Sequence, residues 1–410
     1  MAEPPGHGST DDAGRRRRGA AAVWEVFVVF LGLGLTSFGG PVAHLGYFRE
    51  ALVGRRRWVT DASYVQLVSL CHFLPGPASS QLGMAIGLQR AGIPGLLAAW
   101  LGFTMPSALA MAAFGYGIGP AGGTGTAPWA AGLMAAAVAV VAQAVLAMAP
   151  LASGPRRATI AVTAMVAVLV APAPITQILV IAAAGVAGLL WLDPSVPATD
   201  AEAPAARIGR GTGAACLIAF GVLLVVLPLA TSGGGAGWRM IAGFYQAGAL
   251  VFGGGHVVLP LLEAQTVQAG LVGPDVFLAG YGAAQAVPGP LFTFAAFLGF
   301  VAATPPNGAA GAGLALIAIF LPSALLIIGV HPFWERLRAS SAATRALAGV
   351  NAAVVGILAA ALYTPVFTAG IDSPAAMALA AACFVALRVW NAPPWAVVLA
   401  AGALGASILG

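Results

Sequence analysis

Residues 62–89 read ASYVQLVSLCHFLPGPASSQLGMAIGLQ, an uncharged run broken at its centre by Pro75-Gly76-Pro77. Two prolines remove two backbone donors and the glycine between them lets the chain turn, so a helix must break there. The pieces on either side, 62–74 and 78–89, would each be about 18–20 Å long, some two-thirds of the roughly 30 Å hydrocarbon core of a bilayer. Broken helices are tolerated at membrane depth only where protein or a watery cavity covers the freed backbone groups. The break also leaves a helix start with free N–H groups and a positive partial charge, suited to an anion. The plainer alternative is a kink between two short helices.

Composition places this run in lipid. Of 410 residues, 60% are hydrophobic and only 8% charged, against roughly 25% charged in soluble domains. Eighteen basic and thirteen acidic side chains cannot cover a soluble globule of this size. An ordinary cytoplasmic enzyme, a disordered protein and a nucleic-acid binder are excluded, the last despite a net charge of +5. Uncharged runs cover 26–48, 62–89, 91–155, 158–192, 211–238, 240–262, 276–334, 346–371 and 389–410. At about 20 residues per crossing, they predict an all-α polytopic membrane protein with roughly 10–13 transmembrane segments, some incomplete. The alternating ten-residue pattern of a membrane barrel is missing. Residues 1–21 read as a disordered basic tail ending in Arg15 to Arg18 and Gly19, on the cytoplasmic side of an uncleaved first segment. Cys71, Cys216 and Cys383 lie far apart in apolar runs and suggest neither metal nor disulfide; no cofactor is expected.

Residues 193–210, with Asp193, Pro194, Pro197, Asp200, Glu202, Pro204, Arg207 and Arg210, read as a linker. It separates 22–192 from 211–410, and the two stretches share landmarks. Phe38-Gly39-Gly40, Pro75-Gly76-Pro77 and Pro106-Ser107 recur as Phe252-Gly253-Gly254, Pro288-Gly289-Pro290 and Pro322-Ser323, at offsets of 214, 213 and 216 residues. This order predicts a duplication, with a second pair of half-helices at 276–287 and 291–303. Between the first two landmarks, the first half carries Arg49 and Arg55 to Arg57 beside Glu50 and Asp61, whereas the second has Glu263 and Asp275 and no basic residue. Arginine collects in cytoplasmic loops, so the halves are expected to lie inverted in the membrane, a transporter architecture. One conflict follows: Arg15–Arg18 and Arg55–Arg57 would share a side although one obvious crossing separates them. A re-entrant bend at Gly39-Gly40-Pro41 would resolve it.

Candidate binding groups cluster at the landmarks. Ser79, Ser80 and Gln81 follow the first break; Leu291, Phe292 and Thr293 follow the second. His44 and His256 come soon after the paired glycines, and His72 directly precedes Phe73-Leu74-Pro75. Buried ionisable groups in a membrane mark functional sites by default, although a lone histidine there is often only a hydrogen-bonded interior residue. His331 before Pro332 reads as a helix end. Arg55, Arg56 and Arg57 with Trp58 read as an interfacial anchor, with Glu25 available to pair with arginine and Arg90 as a loop anchor. Glu263 reads as interfacial and solvated, with proton carriage the alternative.

These motifs resemble the chromate ion transporter (CHR) family in its two-domain long-chain form. The resemblance rests on Gly34-Leu35-Thr36-Ser37-Phe38-Gly39-Gly40-Pro41-Val42-Ala43-His44, on Leu74-Pro75-Gly76-Pro77-Ala78-Ser79-Ser80-Gln81, and on Gly102-Phe103-Thr104-Met105-Pro106-Ser107. In the second half it rests on Phe252-Gly253-Gly254-Gly255-His256 and on Gln285-Ala286-Val287-Pro288-Gly289-Pro290-Leu291-Phe292-Thr293-Phe294. It covers nearly the whole chain from about residue 22. It implies a multi-pass protein of a bacterial-type cytoplasmic membrane that exports chromate, driven by membrane potential or a proton gradient, and confers chromate resistance. The family usually has glutamine where this chain has His72, as Gln285 stands in the second half. Sulfate or a related oxyanion is the rival substrate, and protons and a second copy of the chain (a homodimer) are partners left open. A passive channel remains a further reading. An intramembrane enzyme, the rival of another class, would need paired aspartates, a His-Glu-x-x-His pair or a Gly-x-Ser-x-Gly turn, none of which is found.

Overall fold

The computed structural model describes residues 8–118, 127–193, 208–230 and 235–409, with the side chains of 8–18 and 41–42 left aside. Among the described residues there are helices and no strand. In chain order they are α1 (Gly8–Thr36), α2 (Gly40–Phe48), α3 (Asp61–Phe73), α4 (Ala78–Ile118), α5 (Pro128–Met148), α6 (Pro155–Val170), α7 (Pro174–Trp191), α8 (Arg210–Leu229) and α9 (Ala236–Ala249). Then follow α10 (Val258–Thr266), α11 (Pro274–Ala286), α12 (Phe294–Val301), α13 (Gly308–Val330), α14 (Trp334–Arg338), α15 (Ser341–Ala361), α16 (Thr368–Gly370), α17 (Pro374–Arg388) and α18 (Pro394–Ile408). The all-α polytopic membrane architecture expected from the apolar runs is present. Among the described residues, seven helical segments are long and apolar enough to cross a membrane. That is fewer than the expected 10–13, because breaks cut several uncharged runs into short apolar helices such as 291–301, 374–388 and 394–408. Arginine and alanine are good helix formers, and α1 already begins at Gly8. Most of the linker, 194–207, lies outside the described residues.

The breaks produce reversals. Gly39 and Gly40, at φ +95° and +79°, turn the chain back after α1, and α2 with the π-helix Arg49–Arg55 returns along it. Phe30 meets Phe48 edge-on, and Arg56 reaches back to Glu25 at 3.4 Å. The same level then receives a second hairpin. Thr60 caps α3 by accepting from the Ser63 amide at 3.2 Å, α3 descends to Pro75-Gly76-Pro77, and the first arm of α4 climbs to Arg90, which also pairs with Glu25 at 3.2 Å. Both guanidiniums lie over the Trp58 ring, at 5.7 and 5.3 Å. Exposed pairs like these stabilise little, but they fix a level. Arg56 and Glu25 therefore share a side, and the conflict over arginine placement disappears through the re-entrant bend. Ala91 and Gly92, the latter at φ +67°, then fold α4 over, so that Gly87 and Gly95 touch backbone to backbone and the second arm, 93–118, runs back beside α1.

The second half repeats this contact: Gly299 of α12 lies against Gly311 of α13. The halves interlock through their later helices. Helix α5 packs against α17 and α18, and α15 packs against α6 and α7. Gly132 lies on Gly405 in the first of these seams, and Gly349 on Gly188 in the second, with an offset of 217 residues in both members. Lipid tails are as apolar as leucine, so helices associate there by close van der Waals contact, which small residues permit. A Cβ on Gly349 would meet the Ala184 carbonyl, whereas one on Gly313 would meet nothing. Gly349→Val should lower stability in detergent by about 1–3 kcal/mol, and Gly313→Ala should be neutral or slightly stabilising. Thermal unfolding of the two variants checks this.

Candidate functional site at the crossing of the helix breaks

Glu25 lies eleven residues before Thr36, the end of α1, and Ala78 lies twelve before Arg90 on the first arm of α4. Both tips therefore lie about 18 Å from the Glu25–Arg90 level, deep within a roughly 30 Å core. At that depth no water satisfies a freed amide. Each break solves this by reaching into the other half. The Gly76 N–H donates to the Val251 carbonyl at 2.7 Å, and the Gly289 N–H donates to the Ser37 carbonyl at 2.9 Å. Val251 and Ser37 each immediately precede a Phe-Gly-Gly turn. Gly76 and Gly289 hold φ +126° and +100°, a region glycine adopts without strain. Their open faces are filled across the halves: a Cβ on Gly76 would lie 2.5 Å from Ser323 Oγ, and one on Gly289 2.7 Å from Ser107 Oγ.

A cavity of about 370 Å³ opens beside this crossing. Of the residues singled out from sequence, Gly39, Gly40, Gly253, Gly254, His256, Gln285 and Gly289 line it. Four helical segments begin on its wall, at Gly40, Gly255, Leu291 and Pro394; two end there, α5 near Met148 and α11 near Gln285. Helix starts present positive partial charge, and starts outnumber ends. Gln285 Nε2 has no hydrogen-bond partner among the described residues. Among the described lining residues there is no arginine, lysine or carboxylate, and His256 is the one ionisable side chain. Its Nδ1 pairs with the Tyr281 hydroxyl at 2.8 Å.

The other expected site residues lie elsewhere. His44 is buried, with Ser79 Oγ 3.2 Å from Nδ1 and the Ser37 carbonyl 3.2 Å from Nε2. Ser79, Ser80, Gln81 and Thr293 are buried and off the cavity wall. Gln81 Nε2 donates to the Pro75 carbonyl at 2.6 Å and reaches Ser323 Oγ at 3.4 Å, and Thr293 Oγ1 donates to the Pro290 carbonyl at 2.8 Å. Gln81 ties the first break to the other half and Thr293 closes its own turn, whereas Ser80 Oγ and Gln81 Oε1 have no hydrogen-bond partner among the described residues. Pro75, Pro77, Pro288 and Pro290 form the breaks themselves, and Phe38 packs its ring on Trp395 at 5.8 Å. Phe252 is half-buried beside the second turn, and Pro41 lies in the first turn of α2. His72 is exposed. Glu263 is buried and accepts from Gln268 Nε2 at 2.9 Å, which corrects its reading as a solvated interfacial group. Sequence reasoning missed Gln143 and Met148 on the wall, and Asn351, whose buried, unpartnered Oδ1 faces Gly253. Gln143 and Asn351 each interrupt a long apolar stretch as a lone amide, which is the signal that marks them.

A family model described as chromate transporter matches residues 24–189 and 238–406. The chain is 30% identical over 348 residues to a chromate transport protein of Pseudomonas aeruginosa, covering 82% of this chain and 79% of that one. It is 30% identical over 358 residues to a probable chromate transport protein of Synechococcus elongatus, covering 81% and 82%. With a chromate transport protein of Cupriavidus metallidurans it shares 27% over 368 residues, covering 86% and 85%. No solved structure matches the chain.

The crossed bonds make a specific demand on glycine. Gly289→Ala forces an L-residue into the left-handed region, which costs about 1–2 kcal/mol, and crowds Ser107. Its unfolding midpoint should fall, and Gly76→Ala should fall likewise. Adding Ser107→Gly to Gly289→Ala should recover part of the loss by relieving the crowding, which a double-mutant cycle measures.

Proposed function

Since the chain belongs to the chromate transporter family, we propose that it carries chromate, a tetrahedral divalent oxyanion, outward across a bacterial-type cytoplasmic membrane by alternating access. Membrane potential or a proton gradient drives the export, and lower cellular chromate confers resistance. The observation that carries this reading is the cavity beside the crossed breaks: it is lined by both paired-glycine turns, several helix starts and the unpartnered Gln285 amide. Backbone dipoles and an amide can hold a dianion without trapping it, and a transporter must release what it binds.

In the proposed architecture, 22–192 and 211–410 are inverted repeats joined by 193–210. The matched crossing bonds of Gly76 and Gly289 and the matched glycine seams support it. Rocking of one repeat against the other would close the cavity at the second break and open its counterpart at the first, where His72 replaces Gln285. Sulfate has the same shape and charge, so it is the competing substrate.

Everted membrane vesicles containing the protein should take up chromate when energised, lose uptake with a protonophore, and show inhibition by excess sulfate. Uptake no greater than in vesicles lacking the protein overturns the reading. Gln285→Ala should weaken apparent chromate affinity about tenfold or more, the value of one hydrogen bond to a charged group, at unchanged protein level.

A further inference from the structure

A dianion entering this cavity gives up much of its hydration, and an uncompensated buried charge is costly. The wall offers amides, helix starts, a thioether and aliphatic groups, but its one group able to carry a full positive charge is His256. His44, which follows the paired glycines of the first half, behaves differently. His44 has a partner at each ring nitrogen, Ser79 and the Ser37 carbonyl, and is buried. His256 engages only Nδ1, with Tyr281, and its Nε2 has no partner among the described residues while the residue forms part of the cavity wall. Tyr281 is fully buried. Its hydroxyl can donate to Nδ1 of a neutral ring or accept from Nδ1–H of a protonated one, so the pair suits both charge states without rearrangement.

The surroundings supply no competing charge. The turn that carries His256 packs against α10, α15 and the 3₁₀ turn Leu291–Thr293. Helix α10 contributes Glu263, which is engaged by Gln268, and α15 contributes Asn351 at Gly253 and, near its start, Arg345. Neither Glu263 nor Arg345 lines the cavity. From α11 comes Tyr281 alone, since Asp275 lies at the far end of that helix.

We propose that His256 is the coupling-proton site of the transport cycle, taking up one proton at Nε2 as the oxyanion enters and returning it to water on the far side as the oxyanion leaves. The inference rests on the oxyanion-transport reading and adds its charge balance. The proton comes from water on the loading side, so the loaded cavity holds a dianion and an imidazolium and translocates one net negative charge. A membrane potential negative inside then drives export, while an outside-acid pH gradient opposes it.

The test uses the purified full chain in liposomes with an entrapped pH dye and the potential clamped by potassium and valinomycin. It is run at an alkaline pH at which chromate is a dianion in solution. The wild-type protein should move close to one proton with each chromate, in the same direction. His256→Gln should abolish proton movement and weaken chromate binding about 100-fold, as expected when a buried charge loses its partner. His256→Arg, which keeps the charge without titrating in this range, should bind chromate but move no proton. Tyr281→Phe should keep the coupling but shift the falling alkaline limb of the rate to lower pH, because the imidazolium loses its charge-assisted bond. Chromate transport by the wild type with no accompanying proton overturns the proposal, as does unchanged proton coupling in either His256 variant. Absence of any chromate movement by the wild type overturns instead the transport reading beneath it.

Discussion

A backbone amide freed in the middle of a membrane must find its partner inside the protein, and the architecture depends on how two such amides are satisfied. Gly76 and Gly289 each donate to the residue before the other half's Phe-Gly-Gly turn. Neither break can therefore be completed by its own half. The crossing also dictates residue type: with φ +126° and +100° and serine oxygens against the open faces, only glycine fits without displacement. The flanking prolines strengthen the arrangement by removing donors that would need partners at the same depth. Position, conformation and composition at the breaks thus follow from one requirement.

The rest of the scaffold holds that crossing in place with backbone contact in lieu of large side chains. Gly87 on Gly95, Gly299 on Gly311, Gly132 on Gly405 and Gly349 on Gly188 bring helices together at carbonyl distance. In lipid, such contact supplies the dispersion that burial would supply in water. The two seams formed by α5 with α18 and by α15 with α7 run between the halves, so the crossing at the centre is braced from both sides. Bulky aromatics are reserved for specific joints, as where Phe30, Phe48 and Phe103 stack edge to face behind the first turn.

Proline and glycine act through local geometry, so the half-helices around residues 75–77 and 288–290 were legible in the sequence almost to the residue. The membrane class was legible for the same reason, since it needs only the spacing of charges. What the breaks bond to was hidden, because Gly76 and Val251 are far apart in sequence and nothing in either motif names the other. What Ser79, Ser80 and Gln81 touch was hidden for a related reason. A polar helix start beside a break reads as a ligand site, but a break at this depth first consumes polar groups for its own closure, as Gln81 does with Pro75 and Ser323. The lone amides Gln143 and Asn351 carry the opposite lesson: a single amide in a long apolar stretch marks the cavity wall, as Gln143 does, or the turn beside it, as Asn351 does with its Oδ1 facing Gly253.

Matching positions in the two halves have diverged at the points that touch the cavity and not at those that build it. The glycines of both turns, the crossing amides and the seam glycines are paired, whereas the histidines after the two turns fall at non-equivalent positions, His44 sealed and His256 on the cavity wall, and His72 stands where Gln285 borders the cavity. In the proposed cycle, geometry held in common lets the two end states be similar in energy, while the driving gradient sets the direction. A permanent guanidinium on the wall would hold a divalent anion equally well in both states. A group that titrates, beside amides and helix starts of fixed partial charge, can bind firmly in one state and weakly in the other. In the proposed cycle, the scarcity of formal charge on this wall serves release as much as it suits life in lipid.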